Sequence, residues 1–400
     1  MPLTSATFVV VAMLVAQTIV SMGTLTLPAI APALARALEV DASAIGYQIS
    51  IVYAGAMASA ALGGSVVQRI GAGRTTQTAL AAIAAGMALG TSANIAALMI
   101  ASLLLGLGYG LSNPAAAELL VRYTPASRRN LIFSLKQTGV PLGGMAAAMV
   151  APGIASTLGW RAALLLVTAL AIAMVVLLQF PRSRWDEPGD EPVPLSWAQV
   201  FGGISLIWRE PSLRYLSLMA LCFAAVQLCL MTFTVTLLVA ESGYSLVRAG
   251  LVLSVVQFAG AIGRIAWGWA ADRTRSSTAV LIALGAIMLA ATLAVTRIDA
   301  GWSVAWILFV FVAMGSTAIG WNGVFLAEVA RLASTSHAST ATGGALFFTF
   351  AGVLLGPSAF AAVYGRLQSY TGTFVVAAIL AATGIGLAAL SRAFRTPPRN

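Results

Sequence analysis

Charge is what this sequence has least of. Asp, Glu, Lys and Arg make up 8% of 400 residues, against roughly 25% in a soluble globular domain, so an ordinary water-facing surface cannot be built from it. There is one lysine, Lys136, and one histidine, His337, which lies in a polar connection and reads as solvated. The two cysteines, Cys222 and Cys229, stand seven apart in one apolar segment. On a helix they share a face and cannot bridge each other, so packing is their expected role. A Walker loop, a metal-ligand cluster and a nucleophile placed with a base are all absent, so ATP-driven pumping, catalysis and a bound cofactor are not expected. The net charge of +10 would suit nucleic acid, but the basic residues form no contiguous patch or aromatic-basic stripe, and no nucleic-acid partner is expected.

What the sequence has in abundance is apolar length. Hydrophobic residues are 60% of the chain, and mean hydropathy is +0.93. Segments of roughly 20 residues are long enough to cross the ~30 Å hydrocarbon layer as helix. Twelve can be traced: Thr7 to Pro28, Ala44 to Val67, Thr75 to Ala93, Ile95 to Val121, Leu131 to Ser156, Trp160 to Phe180, Leu213 to Ala240, Ala249 to Ala271, Thr278 to Thr296, Ser303 to Val329, Ala341 to Tyr364 and Thr371 to Leu390. Met1 to Leu27 lacks a basic leading region and a small-residue cleavage site, and is expected to stay as the first span. The expected fold class is an all-α polytopic membrane protein, with the lipid bilayer as its surroundings.

Orientation follows from arginine, since cytoplasmic loops near span ends collect Lys and Arg. With both termini inside, the cytoplasmic segments hold Arg69, Arg74, Arg122, Arg128, Arg129, Arg182, Arg184, Arg209, Arg214, Arg273, Arg275, Arg331, Arg392, Arg395 and Arg399. The outside receives only Arg36, Arg161, Arg248, Arg297 and Arg366. The long polar connection from Pro181 to Arg214, with Pro181, Pro188, Pro192 and Pro194 and the acids Asp186, Glu187, Asp190 and Glu191, divides residues 1–180 and 213–400 into two six-span bundles. Within this 181–212 linker, Trp197, Phe201, Ile204 and Trp208 recur at helical spacing, as in an amphipathic helix on the inner membrane face; a simple tether is the plainer alternative.

The two halves also repeat each other. Gln17, Thr24, Thr26 and Leu27 recur as Gln227, Thr234, Thr236 and Leu237. Gly46, Ser50, Val52, Gly64 and Arg69 recur as Gly250, Ser254, Val256, Gly268 and Arg273, and Asn113, Glu118 and Arg122 are echoed by Asn322, Glu328 and Arg331. Six spans per half make this a parallel repeat, an architecture known among secondary transporters. The loop Gly64-Ser65-Val66-Val67-Gln68-Arg69-Ile70-Gly71-Ala72-Gly73-Arg74 and its repeat Gly268-Trp269-Ala270-Ala271-Asp272-Arg273 resemble the signature of the major facilitator superfamily. The first copy departs from it, with Gln68 where an acid is expected. The resemblance implies two six-helix bundles with a substrate site between them near the midplane. It also implies a cytoplasmic latch in which Asp272 and Arg273, with Arg69, Arg74, Glu118 and Glu328, take part; a purely topogenic role for the arginines is the plainer reading.

Two cations fall inside spans, where an ionisable group is costly enough to read as functional. Lys136 lies seven residues after Arg129, and Arg264 lies eight before Asp272 on a helix running the other way, so both sit ~10–12 Å from the same membrane face. Gln257 shares the face of Arg264. The stretch Gly263-Arg264-Ile265-Ala266-Trp267-Gly268 is similar to the span-eight arginine of monocarboxylate and oxalate/formate transporters, although Gly260 stands where an acid is expected one turn earlier. Arginine's planar fork suits a carboxylate, while lysine is a point charge that can give up its proton. The plainer reading of Lys136 is pairing with Glu118. Polar residues on the predicted cavity faces are Gln17, Gln227, Asn113, Asn322 and Tyr53, with Tyr109, Trp321 and Phe348 as apolar walls. The expectation is a monomeric secondary transporter of a small organic anion in the inner (plasma) membrane, by proton symport or anion exchange. The competitor is a drug/proton antiporter exporting lipophilic or cationic compounds.

Overall fold

The computed structural model describes residues 6–123, 132, 135–186, 204–299, 301–333 and 338–394, and these form helices joined by short turns, with no strand among them. The helices are α1 (Ala6–Ala29), α2 (Ala31–Leu38), α3 (Ile45–Ile70), α4 (Ala72–Gly90), α5 (Ile95–Tyr123), α6 (Gly139–Thr157), α7 (Trp160–Trp185), α8 (Pro211–Glu241), α9 (Leu246–Thr274), α10 (Ser277–Val295), α11 (Val304–Ala318), α12 (Asn322–Leu332), α13 (Ala338–Leu367) and α14 (Tyr370–Ala393). Ten spans among the described residues are long and apolar enough to cross a bilayer. With α3 and α4 they occupy the twelve expected places. Helix is the only open structure that satisfies its own backbone in lipid, which is why Pro28, Pro114, Pro152 and Pro357 are carried inside spans without ending them.

By internal contacts the chain forms two units, Met1–Leu195 with Leu246–Ser254, and Ser196–Ser245 with Val255–Asn400. In the first, α3 and α4 pack on α5, and α1 packs on α6. Small residues set these distances, since lipid gives helices no hydrophobic drive to associate and close van der Waals approach has to supply it. A Cβ on Gly106 would overlap the Val52 carbonyl, and one on Gly110 would overlap the Ala56 carbonyl. The beginning of α9 belongs to this unit: Gly250 faces the Ala148 carbonyl, and Ser254 Oγ donates to Met145 O at 3.4 Å. In the second unit α8 packs on α13 and α14, and Glu241 at its end accepts the Tyr370 and Thr371 amides, so that a carboxylate sits on the positive end of α14.

Three features differ from the sequence expectation. The first connection folds into α2 and a 3-10 turn at Ala42–Ala44 capped by Asp41, whose Oδ1 accepts Ser43 N at 2.7 Å. Span six does not end at Phe180 but continues through Pro181 to Trp185, because Trp185 is buried against Phe8 and Tyr123 Oη donates to Arg184 O at 2.9 Å. Span ten is not one helix; it breaks at Ile319–Trp321 into α11 and α12. Of the expected linker helix, Trp197 and Phe201 lie outside the described residues, as do Arg128, Arg129 and His337, whereas 204–209 is helical and Trp208 stacks on Phe348 at 6.4 Å.

Gly106→Ala is expected to destabilise the protein by about 1–3 kcal/mol, because a methyl group there must push α3 from α5. Gly153→Ala, which meets nothing within 4 Å, should leave the melting temperature unchanged or raised when both variants are unfolded thermally in detergent.

Candidate functional site

Lys136 opens the span Leu135–Thr157 and is 3% exposed. Its Nζ donates to Gln17 Oε1 and to Asn113 Oδ1, both at 2.6 Å, and to Gln137 Oε1 at 3.5 Å. An ammonium has three N–H bonds, and three amide oxygens meet them. The approach of α6 to α1 makes this possible. Gly139 lies where a Cβ would come within 2.9 Å of the Gln17 side chain, and one on Gly143 would overlap the Thr18 carbonyl. Gln17 is held in turn, its Nε2 donating to Ser21 Oγ at 3.1 Å while Ser112 Oγ lies 3.3 Å from its Oε1. One turn before Asn113 the ring of Tyr109 meets Tyr53 edge-on, with centroids 5.7 Å apart. Among the described residues no carboxylate is bonded to Lys136. Glu118, the counter-ion weighed from the sequence, is exposed and lies 4.0 Å from Arg122 on its own helix.

The second unit builds its polar cluster around the break in span ten. Arg264 Nε donates to Ile319 O at 3.1 Å, and Trp267 Nε1 donates to Ser316 O at 3.0 Å. The last carbonyls of a helix lack partners within it and carry partial negative charge, so α9 supplies a cation and an indole N–H where α11 needs them. Gly263 and Gly320 permit the contact, since a Cβ on Gly263 would overlap the Ser316 carbonyl and one on Gly320 would come within 2.8 Å of the Trp267 ring. Across the break, Gln227 Oε1 accepts from Trp321 Nε1 and Asn322 Nδ2, each at 3.2 Å. Trp321, expected as an apolar wall, is fully buried, its ring edge-on to Phe223 at 6.0 Å. Gln257 is 1% exposed, and its Oε1 meets no donor among the described residues.

The residues assigned to the latch separate into two kinds. Arg69, Asp272 and Arg273 are exposed at helix ends. Arg74 donates its backbone N–H to Asp186 Oδ1 at 3.0 Å, and its Nε and that of Arg182 lie 3.9 and 3.7 Å from Oδ2. Asp186, counted in the sequence only among linker acids, thus brings a carboxylate to the loop that carries Gln68. Glu328 is fully buried, accepting from Thr278 Oγ1 at 2.9 Å and from Arg331 Nε and Nη2 at 2.9 and 2.8 Å. Those hydrogen bonds raise the Arg331 pKa above its ordinary value. Besides Asp186, the carbonyls of Ser316 and Ile319 escaped the sequence reading; Gly320 in mid-span is the signal that marks them.

A sequence model of the Major Facilitator Superfamily matches residues 13–357. The chain belongs to this superfamily. Its superfamily relatives include monocarboxylate transporter 13 of Rattus norvegicus, 27% identical over 355 residues that cover 88% of this chain and 80% of that protein. The 4-hydroxybenzoate transporter PcaK of Pseudomonas aeruginosa is 28% identical over 276 residues, 61% of each chain. A gallate transporter of Pseudomonas putida is 25% identical, covering 68% of this chain and 69% of its own. A solved bacterial homolog of the human lysosomal transporter Spinster superposes with a TM-score of 0.80, covering 98% of this chain and 99% of that one at 18% identity, a likeness of fold. This member of the superfamily is accordingly a multi-pass membrane transporter and not an enzyme.

Arg331→Ala leaves the buried Glu328 carboxylate short of its bidentate donor and should lower stability by about 1–3 kcal/mol. Adding Glu328→Gln to that variant should restore most of the loss, a recovery read as non-additivity in a double-mutant thermal-melt cycle.

Proposed function

We propose that this transporter moves a small organic anion, a carboxylate, across the membrane by alternating access, by proton symport or anion exchange. The observation that carries the reading is Lys136. A cation taken out of water is costly unless an opposite charge meets it, and the described residues give it only neutral oxygens. A guest anion supplies the missing charge. The second unit carries a cation of its own in Arg264, whose Nε is engaged with Ile319 O and whose guanidinium fork suits bidentate capture of a carboxylate. Gln17 and Asn113 hold Lys136, Gln227 and Asn322 hold the break beside Arg264, and Gln257 offers an acceptor to a ligand hydroxyl.

The relatives support the same chemistry. Monocarboxylates, 4-hydroxybenzoate and gallate, the compounds in their names, all carry a carboxylate. The reading places residues 1–180 and 213–400 as the two alternating bundles. It places a monomer in the inner (plasma) membrane, both termini cytoplasmic, with Asp272, Arg273, Arg69 and Arg74 at the cytoplasmic latch.

The test is uptake into proteoliposomes of aliphatic monocarboxylates, 4-hydroxybenzoate and gallate, with cationic dyes as the competing class. Arg264→Ala should weaken apparent affinity about a hundredfold, roughly 3 kcal/mol, while eluting as a folded protein. Lys136→Met should abolish the thermal stabilisation that the transported carboxylate gives the wild type, which is ~2.7 kcal/mol at a hundredfold excess over Kd. Transport of cationic dyes with carboxylates ignored would overturn the assignment in favour of drug efflux.

A further inference from the structure

In the second unit, where α8 begins, an arginine is laid against a row of aromatic rings. The guanidinium carbon of Arg214 stands 5.7 Å from the centre of the Trp208 ring and 5.1 Å from that of Tyr215. The row extends on both sides: Trp208 lies parallel to Phe348 of α13 at 6.4 Å, and Tyr215 stacks on Phe394 at 5.4 Å. Two serines fasten the start of α8 to the end of α14, Ser212 Oγ donating to Phe394 O at 2.9 Å and Ser391 Oγ to Ser212 O at 2.8 Å. The row is open to its surroundings, with Trp208 55% and Phe394 51% exposed. Arg209, next to Trp208, and Arg392, in the last turn of α14, are exposed as well.

Stacking on rings uses the face of a guanidinium and leaves the N–H groups at its edge for other partners. Among the described residues no carboxylate or carbonyl takes those of Arg214, and Glu210, the acid of this turn, is exposed and forms no ion pair. The position is a poor one for a cation in its own right, since Arg214 stands in the first turn of α8, near the positive end of the helix dipole. A partner bearing negative charge answers both. The rings say where it comes from: exposed Trp, Tyr and Phe at the ends of membrane spans belong at the headgroup level of a bilayer, and anionic headgroups attract each arginine near the surface. Arg209, Arg214 and Arg392 outnumber Glu210 there, so the patch complements such a headgroup in charge.

We propose that this row binds an anionic glycerophospholipid, its phosphate taking the edge N–H groups of Arg214 and its acyl chains lying along the exposed parts of Trp208 and Phe394. Residues 204–209, the described end of the linker, are thereby held at the membrane surface. The site is separate from Lys136 and its amide cage, and does not depend on which substrate is carried.

The test is native mass spectrometry of the full-length protein in detergent, titrated with phosphatidylglycerol and with phosphatidylcholine of the same acyl chains. The wild type should hold the first phosphatidylglycerol at least fivefold more tightly than phosphatidylcholine, at about fivefold for each arginine near the headgroup. Arg214→Gln should cut that preference about fivefold. Arg214→Lys keeps the charge but neither the flat face nor the fork; it should lose at least twofold, and serves alone if the glutamine variant does not fold. Arg366→Gln removes the same charge from the last turn of α13, at the opposite end of that helix from Phe348, and should change nothing. Equal retention of the two lipids, an undiminished preference in Arg214→Lys, or an equal loss in Arg366→Gln would each overturn the proposal. So would displacement of the lipid by glycerol 3-phosphate, which would make the ligand a free phosphate. A preference that emerges only when Glu187, Asp190 and Glu191 are changed to their amides would overturn it too, assigning Arg214 to the linker's own acids.

Discussion

An ammonium that, among the described residues, is held only by neutral oxygens is the constraint on which the first unit depends. Lys136 reaches Gln17 and Asn113 because α6 lies against α1 closely enough for Nζ to span both, and that closeness exists because Gly139 and Gly143 present no side chain to α1. Amide oxygens solvate a cation but do not neutralise it. Packing, hydrogen bonding and charge are therefore linked in one place: residues without side chains set the helix distance, the distance sets the cage, and the cage leaves a net positive charge inside an apolar unit. Stability alone would be served as well by an apolar residue there.

The repeat shows what that charge adds. Gln17 and Asn113 in the first unit correspond to Gln227 and Asn322 in the second, and the two pairs behave differently. In the first, both turn their oxygens toward Lys136. In the second, Asn322 Nδ2 donates directly to Gln227 Oε1, and no cation stands between them. The second unit carries its cation on α9 instead, where Arg264 rests on a main-chain carbonyl. One repeated frame of polar positions thus supports two arrangements, one that cages a point charge and one that holds a planar donor against a helix end.

Much of this was legible in the sequence, for reasons that can be stated. The spans show because lipid demands unbroken apolar length, and Lys136 shows because a lone lysine in such a span has no bland surface role. Gln17 and Asn113 were visible as polar residues at helical spacing. What stayed hidden depends on tertiary geometry. Nothing local says that Pro181 would be carried inside α7; the burial of Trp185 against Phe8 decides it. Asp186 looked like one acid in an acidic linker, and its place beside the α4 amides follows only once α7 has been extended to reach them. The break in span ten is written in Gly320, yet its meaning depends on Gly263, Arg264 and Trp267 from another helix.

That break has a mechanical consequence. A continuous rod carries a tilt from one end to the other, so moving its tip moves its root. Span ten is jointed at Ile319–Trp321, and each side of the joint is fastened separately, α11 by Arg264 and Trp267 and α12 by Gln227. A bend between the half that bears Glu328 and Arg331 and the half beside Arg264 would be taken up at this joint, where the helical ladder is already interrupted, while Glu328 keeps its own hold on Thr278 of α10.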